Sequence, residues 1–428
     1  MNSISRIVLS FFLTTSFFTA QSQHIERTIK PNIATVQLYT EGDQQSMPAF
    51  SLNNPNKIKL SFDDLEGGYK NYYYTFVLCD YNWNQANLSE FDYIKGFTKN
   101  RISFYRYSNT AYTKYTHYEA LLPEDNSLPT RSGNYLLKVF LDGDTTKLVF
   151  TKQFIVFEQK ASIDAMVVQT YASDKFRTHQ RIKFKANLKD LKAFSPAQEV
   201  KTVILQNNRW DNAQKDIRPT FVTGNILDYV TEDVAVFPGE KEWRWLDVRS
   251  FRLNSDRIES QIYNQNERSV QLKTDIDRRE QRYMYYADLN GSYEINTYEN
   301  INPLWQSDYS MLHFSFQKNG GGIYNGDDVY LIGQFTNYEI NDKWKMIYNP
   351  LSDKYECSAY LKQGYYNYTY VLAEKNNYQK LTSLDGNYWE TENKYTILMY
   401  YKSFSDRNDR IIGVAAINSR SDKPGFSF

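Results

Sequence analysis

The sequence predicts an all-β protein built from tandem antiparallel β-sandwich domains of immunoglobulin-like type. Three observations predict it. Apolar and polar residues alternate with period two in many short runs. Turn residues bound those runs. No stretch shows sustained helical periodicity or low complexity. A period of two sends successive side chains to opposite faces of a strand, so one face can bury against a second sheet while the other meets water.

Read in order, the first predicted domain covers residues 27–158. Its strands are Ile58–Phe62, Tyr72–Cys79, Tyr135–Leu141 and Leu148–Phe157, separated by turns at Gly67-Gly68, Ser132-Gly133-Asn134 and Asp142-Gly143-Asp144. Between Asn82 and Phe97 the pattern lapses, and a short helix or structured loop is expected. The second domain covers residues 160–298, with strands Arg181–Leu188 and Val200–Gln206. Within it, Glu242–Leu253 carries Trp243, Trp245, Val248, Phe251 and Leu253 among arginines, and the polar stretch Asn254–Asp277 suggests long loops with weak strands. Glu299–Trp305 reads as a linker. The third domain covers residues 308–428, with strands Val329–Leu331, Tyr355–Leu361, Tyr365–Leu372 and Tyr395–Tyr401. Lys362-Gln363-Gly364 is a hairpin turn between two of these, and Gly320-Gly321-Gly322 is a loop.

Lys+Arg and Asp+Glu both number 50, a balance that argues against binding nucleic acid through bulk positive charge. Tyr is the unusual residue, at 37 against 26 Phe. Tyrosine suits strands, half-exposed strand faces and interfaces. At the N-terminus Arg6 is the lone charge before His24, and Ile7–Phe18 is apolar but too short to span a bilayer. With Ala20-Gln21-Ser22 it reads as a signal peptide over residues 1–22, cleaved after Ser22. No Cys stands near that point for lipid attachment, and no C-terminal secretion domain is apparent, so a periplasmic location is expected. Cys79 and Cys357 are far apart in sequence and are expected to be two separate buried thiols.

No catalytic, cofactor-binding or metal residue is assigned, and no cofactor is expected. The histidines His24, His117, His179 and His313 are isolated in sequence and read as structural or surface residues. The acidic pairs Asp63-Asp64, Glu124-Asp125 and Asp327-Asp328 read as solvated turns, although paired carboxylates also serve glycoside hydrolysis or Ca²⁺ binding. Gly320-Gly321-Gly322 lacks the Lys-Ser/Thr of a phosphate loop. Trp210, Trp243, Trp245 and Arg244 are either sandwich-core fillers or interface anchors.

Val329–Tyr338, with Trp344 and the later Gly364-Tyr365-Tyr366-Asn367-Tyr368, resembles the early-set immunoglobulin-like fold of glycogen-binding modules, with Tyr338 where those modules carry Trp. This resemblance implies a fold and an alternative function, periplasmic carbohydrate binding or an accessory role to a glycosidase.

A second resemblance spans nearly the whole chain. It runs through Pro31–Tyr39, Leu60–Leu65, Cys79-Asp80 with Trp83, Gly96-Phe97, Tyr115–Tyr118, Ser132–Tyr135, Gln206–Asp211, Asp288–Gly291, Gly333–Asn337, Leu361–Tyr365 and Arg410–Gly413. In that order these segments resemble the type IX secretion system plug protein family. The resemblance implies a non-enzymatic periplasmic subunit whose partner is the SprA-type outer-membrane barrel translocon. It implies closure of that pore when no cargo passes, and contact with the membrane only through the partner.

Overall fold

The computed structural model describes residues 26–422 other than 54–55, 190, 192 and 376. The expected signal peptide, its cleavage site and His24 lie outside the described residues. Its regular structure is nearly all strand, in mainly antiparallel sheets packed as sandwiches.

The first core draws on residues 33–156. The sheet Ile33–Thr40, Ile58–Asp64, Thr116–Leu122, Phe104–Tyr107 packs against Leu148–Phe157, Gly133–Leu141 and Tyr72–Cys79. Period two explains the division of labour along Tyr72–Cys79. Tyr72, Tyr74, Phe76 and Leu78 enter the first core. Val77 and Cys79, on the opposite face, join Val203, Leu205, Leu398 and Tyr400 in a separate cluster against the next unit. Burial on both faces is why this strand reads as an almost unbroken apolar run. The stretch 82–97 forms a 3-10 turn at Glu90–Asp92 and a short strand at Ile94–Gly96, with Trp83 buried.

The expected division between a second domain ending at 298 and a third beginning at 308 does not match the cores. One core combines residues 161–237 with 395–417. Another runs from Leu246 to Leu384 without a break at 299–305. The cause is a long-range return: Lys394–Tyr401 pairs with Val200–Gln206, and its hairpin partner Arg410–Asn418 meets Leu148–Phe157 at Phe157↔Ile411. One ten-stranded sheet therefore crosses the first and second units. Residues 299–305 act as a brace rather than a linker, with Trp305 against His117 and the Leu304 carbonyl accepting from Lys362.

Tyrosine fills the cores. Tyr135, Tyr366, Tyr395 and Tyr400 are fully buried, and each hydroxyl donates to a fixed acceptor: Arg131 O at 2.8 Å, Lys362 O at 2.7 Å, Gln180 Oε1 at 2.7 Å and Asn134 Oδ1 at 2.8 Å. Burying a phenol costs little when its hydroxyl is satisfied, so half-exposed strand faces account for only part of the tyrosine content.

Candidate interaction site at the junction of three sandwiches

The three units meet around a cleft of about 920 Å³. The first contributes Gln37, Gln44 and Trp83, the second Asn208 and Trp210, and the third Asn290, Gln334 and Tyr338. Several segments that carry the family resemblance are thereby brought to one place. Asn207 and Asn208 follow strand Val200–Gln206 in left-handed backbone, φ 56° and 58°. Asparagine tolerates that region better than most residues, and the tight reversal sets Arg209 and Trp210 on the cleft wall. Asn337 and Tyr338, φ 50° and 55°, reverse the chain after the 3-10 turn Gln334–Thr336.

Arg209 organises the wall. It is buried, yet one arm reaches Asp211 Oδ2 at 2.6 Å and the other Glu240 Oε1 at 2.8 Å. Its guanidinium carbon lies 4.6 Å from the Tyr338 ring centroid and 5.4 Å from that of Trp243. Burial alone would favour the neutral form; the two carboxylates outweigh it and hold Arg209 charged. Amide contacts tie the units across the cleft: Gln45 Nε2 donates to Glu294 Oε1 at 2.7 Å, and Ile295 N to Gln44 Oε1 at 2.8 Å.

The first and third units are joined by a buried ionic knot that the sequence reading missed. Asp63 Oδ1 lies 2.6 Å from His117 Nδ1, while Asp63 Oδ2 receives Lys362 Nζ and Tyr309 Oη, each at 2.5 Å. His117 Nε2 lies 3.0 Å from Glu119 Oε1. Burial opposes ionisation of Asp63, but Lys362 and His117 outweigh it and hold the carboxyl below its usual range. Nearby, the Asp308 carboxylate accepts the backbone N–H groups of Tyr112 and Thr113 at 2.8 and 3.0 Å. Two expectations are corrected here. Asp63-Asp64 is a buried strand end rather than a solvated turn: Asp64 accepts from Asn32 Nδ2 at 2.6 Å and Tyr72 Oη at 2.9 Å. His117 is not isolated. Its partners come from strands far apart in sequence, and the one available signal was opposite charges inside apolar strand segments, Asp63 within Leu60–Leu65 and Lys362 within Leu361–Tyr365.

The other acidic pairs lie at edges. Glu124 accepts from Tyr74 Oη at 2.8 Å, Asp125 is exposed 3.4 Å from Lys57, and Asp328 lies 2.7 Å from Lys345. His179 sits beside Thr178, and His313 bridges Ser358 and Ser269. A second carboxylate set fills the third core. Asp275 accepts from Arg244 and Arg257, both at 2.7 Å, and from Tyr368 and Tyr370 at 2.7 and 3.0 Å. Asp385 accepts from Arg244, Arg278 and Thr369 at 2.6, 2.8 and 2.5 Å. These oxygens are saturated by internal donors, an arrangement that holds a fold together and leaves them little capacity for proton transfer. Among the described residues, no group of three or more His, Cys, Asp or Glu side chains could hold a metal ion. No helix among them is long and apolar enough to cross a membrane. Cys79 and Cys357 are both free, the first buried and the second half-buried.

Of the four candidate anchors, Trp243 and Arg244 are buried core residues. Trp245 is half-buried and stacks at 6.4 Å on Tyr365, and Trp210 is half-buried, edge-on to Trp83 at 4.8 Å. Tyr338, at the position where glycogen-binding modules carry Trp, has Arg209 over its ring and Trp243 edge-on to it.

Residues 33–158 match the family model described as the type 9 secretion system plug protein first domain. The fold as a whole is similar to the crystal structure, at 2.30 Å resolution, of a hypothetical protein from Parabacteroides merdae ATCC 43184. The two share 30% sequence identity with a TM-score of 0.87, over 93% of this chain and 100% of that one. No curated protein matches the chain.

Proposed function

Because the chain belongs to the type IX secretion system plug family, we propose that it is the periplasmic plug of that system, binding the periplasmic face of the giant SprA-type outer-membrane barrel and closing its pore while no cargo passes. The match over residues 33–158 carries this reading. The family's role is that of a non-catalytic secretion component, and it is set in the periplasm next to the outer membrane. Outer-membrane barrels reach about 36 strands, and a lumen of that size leaks solutes unless something fills its mouth.

Such a stopper has to resist deformation without being a permanent subunit. A sheet shared between two units, with a buried ionic knot joining the third, supports a block-like body. A chain whose acidic and basic residues both number 50, rich in tyrosine, suits a partly polar, reversible contact. The experiment is a pull-down of the tagged mature chain from detergent-solubilised envelopes of its own cells. Recovery of the SprA-type barrel at near-equal amounts is expected. An intact barrel left wholly in the unbound fraction would refute the reading. Glycan binding with no barrel recovered would favour the carbohydrate alternative.

A further inference from the structure

The four-stranded sheet of the first unit ends in strand Phe104–Tyr107, which pairs with Thr116–Leu122 on one side and, among the described residues, with no strand on the other. A free edge presents unpaired N–H and C=O groups and is a template for another strand. Natural edges are blunted by bulges, prolines, covering loops, short strands or charged side chains; this four-residue edge carries one charge, Arg106, within a row of exposed rings. Phe104 and Tyr107 are 38% and 51% exposed. Tyr105 stands between Tyr69 at 4.8 Å and Tyr107 at 5.5 Å.

The strand and the segments flanking it in sequence carry charge of one sign. From Tyr93 to Tyr118 the chain holds no Asp or Glu, while Lys95, Lys99, Arg101, Arg106 and Lys114 are all exposed. Two acids on neighbouring segments are already engaged, Glu66 with Lys70 and Glu119 with Lys59 at 2.9 Å. Neither Arg101 nor Arg106 has a carboxylate within 4 Å among the described residues. Their guanidinium groups are held over rings instead, Arg101 over Tyr69 at 5.6 Å and Arg106 over Phe104 at 4.5 Å. Arg101 also donates to Tyr69 Oη and Arg106 to the Tyr105 carbonyl at 3.1 Å; stacking and these bonds fix each exposed guanidinium and leave it further N–H donors for a carboxylate.

We propose that the Phe104–Tyr107 edge is a docking edge that takes an extended, acidic segment of the partner protein as an added strand. The inference rests on the plug reading for the identity of that partner. Main-chain hydrogen bonds hold the added strand, and its carboxylates meet Arg101 and Arg106. An open backbone edge is what separates this surface from a site for anionic lipid, which would need the positive charge and the rings but no unpaired strand.

The test is amide hydrogen exchange on the full mature chain, alone and with three additions: purified translocon barrel, an alternating Glu-Val decapeptide, and phosphatidylglycerol vesicles. Exchange at residues 104–107 is expected to slow at least tenfold with barrel and with peptide. The double variant R101E/R106E is expected to lose at least tenfold in affinity for both. The control K183E, at an exposed site in the second unit, is expected to bind as the wild type does. An unchanged thermal midpoint in R101E/R106E separates lost binding from lost folding. Barrel bound with unprotected 104–107 amides and undiminished R101E/R106E affinity overturns the edge and leaves the plug standing. Peptide protection without any barrel binding refutes the plug and keeps the edge. Protection by vesicles alone assigns the surface to lipid and overturns the proposal, and failure of barrel, peptide and vesicles alike to bind overturns both.

Discussion

The ammonium of Lys362 and the carboxylate of Asp63 meet at 2.5 Å across the seam between the first and third units, and each side chain is 1% exposed. A buried pair of this kind adds little net stability over an apolar pair, but removing one partner strands the other charge, at about 3–5 kcal/mol. Lys362→Met is therefore expected to lower the thermal midpoint sharply, and Lys362→Met with Asp63→Asn to recover much of the loss. Equal midpoints for the single variant and the wild type would show that the seam contributes nothing. The pair also sets an acid limit. Asp63 is held below its ordinary value of 3.8, so its contribution is complete above about pH 4 and is lost as the pH falls through the folded-state value. The acid-side fall in midpoint is expected to be shallower in Asp63→Asn.

The limits of sequence reading show in this same pair. Alternation is a local signal, and strands Tyr72–Cys79, Leu148–Phe157 and Val200–Gln206 have the bounds the sequence suggests. Pairing is not local. Nothing within Tyr395–Tyr401 says that it returns to Val200 rather than stacking on Tyr365–Glu374, because both environments want the same apolar, β-prone residues. The domain division at 299–305 failed to match the cores for that reason. The ionic knot was hidden likewise, since Asp63 and Lys362 each read as solvated turn residues, whereas both stand at strand ends that only the tertiary pairing brings together. Trp243 illustrates the reverse: its sequence allowed a core filler or an anchor, and burial against Gly291 and Arg209 makes it core.

Asp288 titrates in the opposite sense to Asp63. Its carboxyl is half-buried in the turn 288–291, and loss of solvent there pushes it up to about 7, although the N–H groups of Asn290, at 2.8 Å, and Trp243 donate to it. Between pH 4 and 7 the folded chain keeps a proton that the unfolded chain has lost. Stability therefore falls as the pH rises through that window, by at most about 1.4 kcal/mol per unit. Asp288→Asn is expected to flatten the decline in midpoint from pH 5 to pH 8. Parallel profiles for variant and wild type would mean that Asp288 is ionised throughout.

The two thiols differ in reach. Burial pushes Cys79 up to about 12, and Cys357, half-buried beside Lys343, is also raised. A raised thiol holds little of the reactive thiolate at neutral pH. Ellman's reagent at pH 8 is expected to leave Cys79 unmodified and to label Cys357 slowly in the native chain, and to label both at once in denaturant. Failure to find both thiols in unreduced, denatured protein would reveal a disulfide, which the separate placement of the residues opposes.

Gly291 stands between Asn290 and Ser292, two residues that line the cleft. Its φ is +83°, and a Cβ built there would stand 2.8 Å from the Trp243 ring. A side chain at this position is strained twice, by the left-handed backbone and by a ring that cannot retreat, because Arg209 covers it and Tyr338 meets its edge. Gly291→Ala is expected to cost about 2–4 kcal/mol in denaturant unfolding. The effect should spread to the cleft, since the Gly291 carbonyl accepts Gln334 N at 2.9 Å and Tyr338 Oη at 3.2 Å. Faster amide exchange at residues 334–338 in Gly291→Ala, with strand Phe104–Tyr107 unchanged, would locate the damage at the cleft. A variant with wild-type stability would show that the ring and turn can shift together, and that this junction is softer than its packing implies.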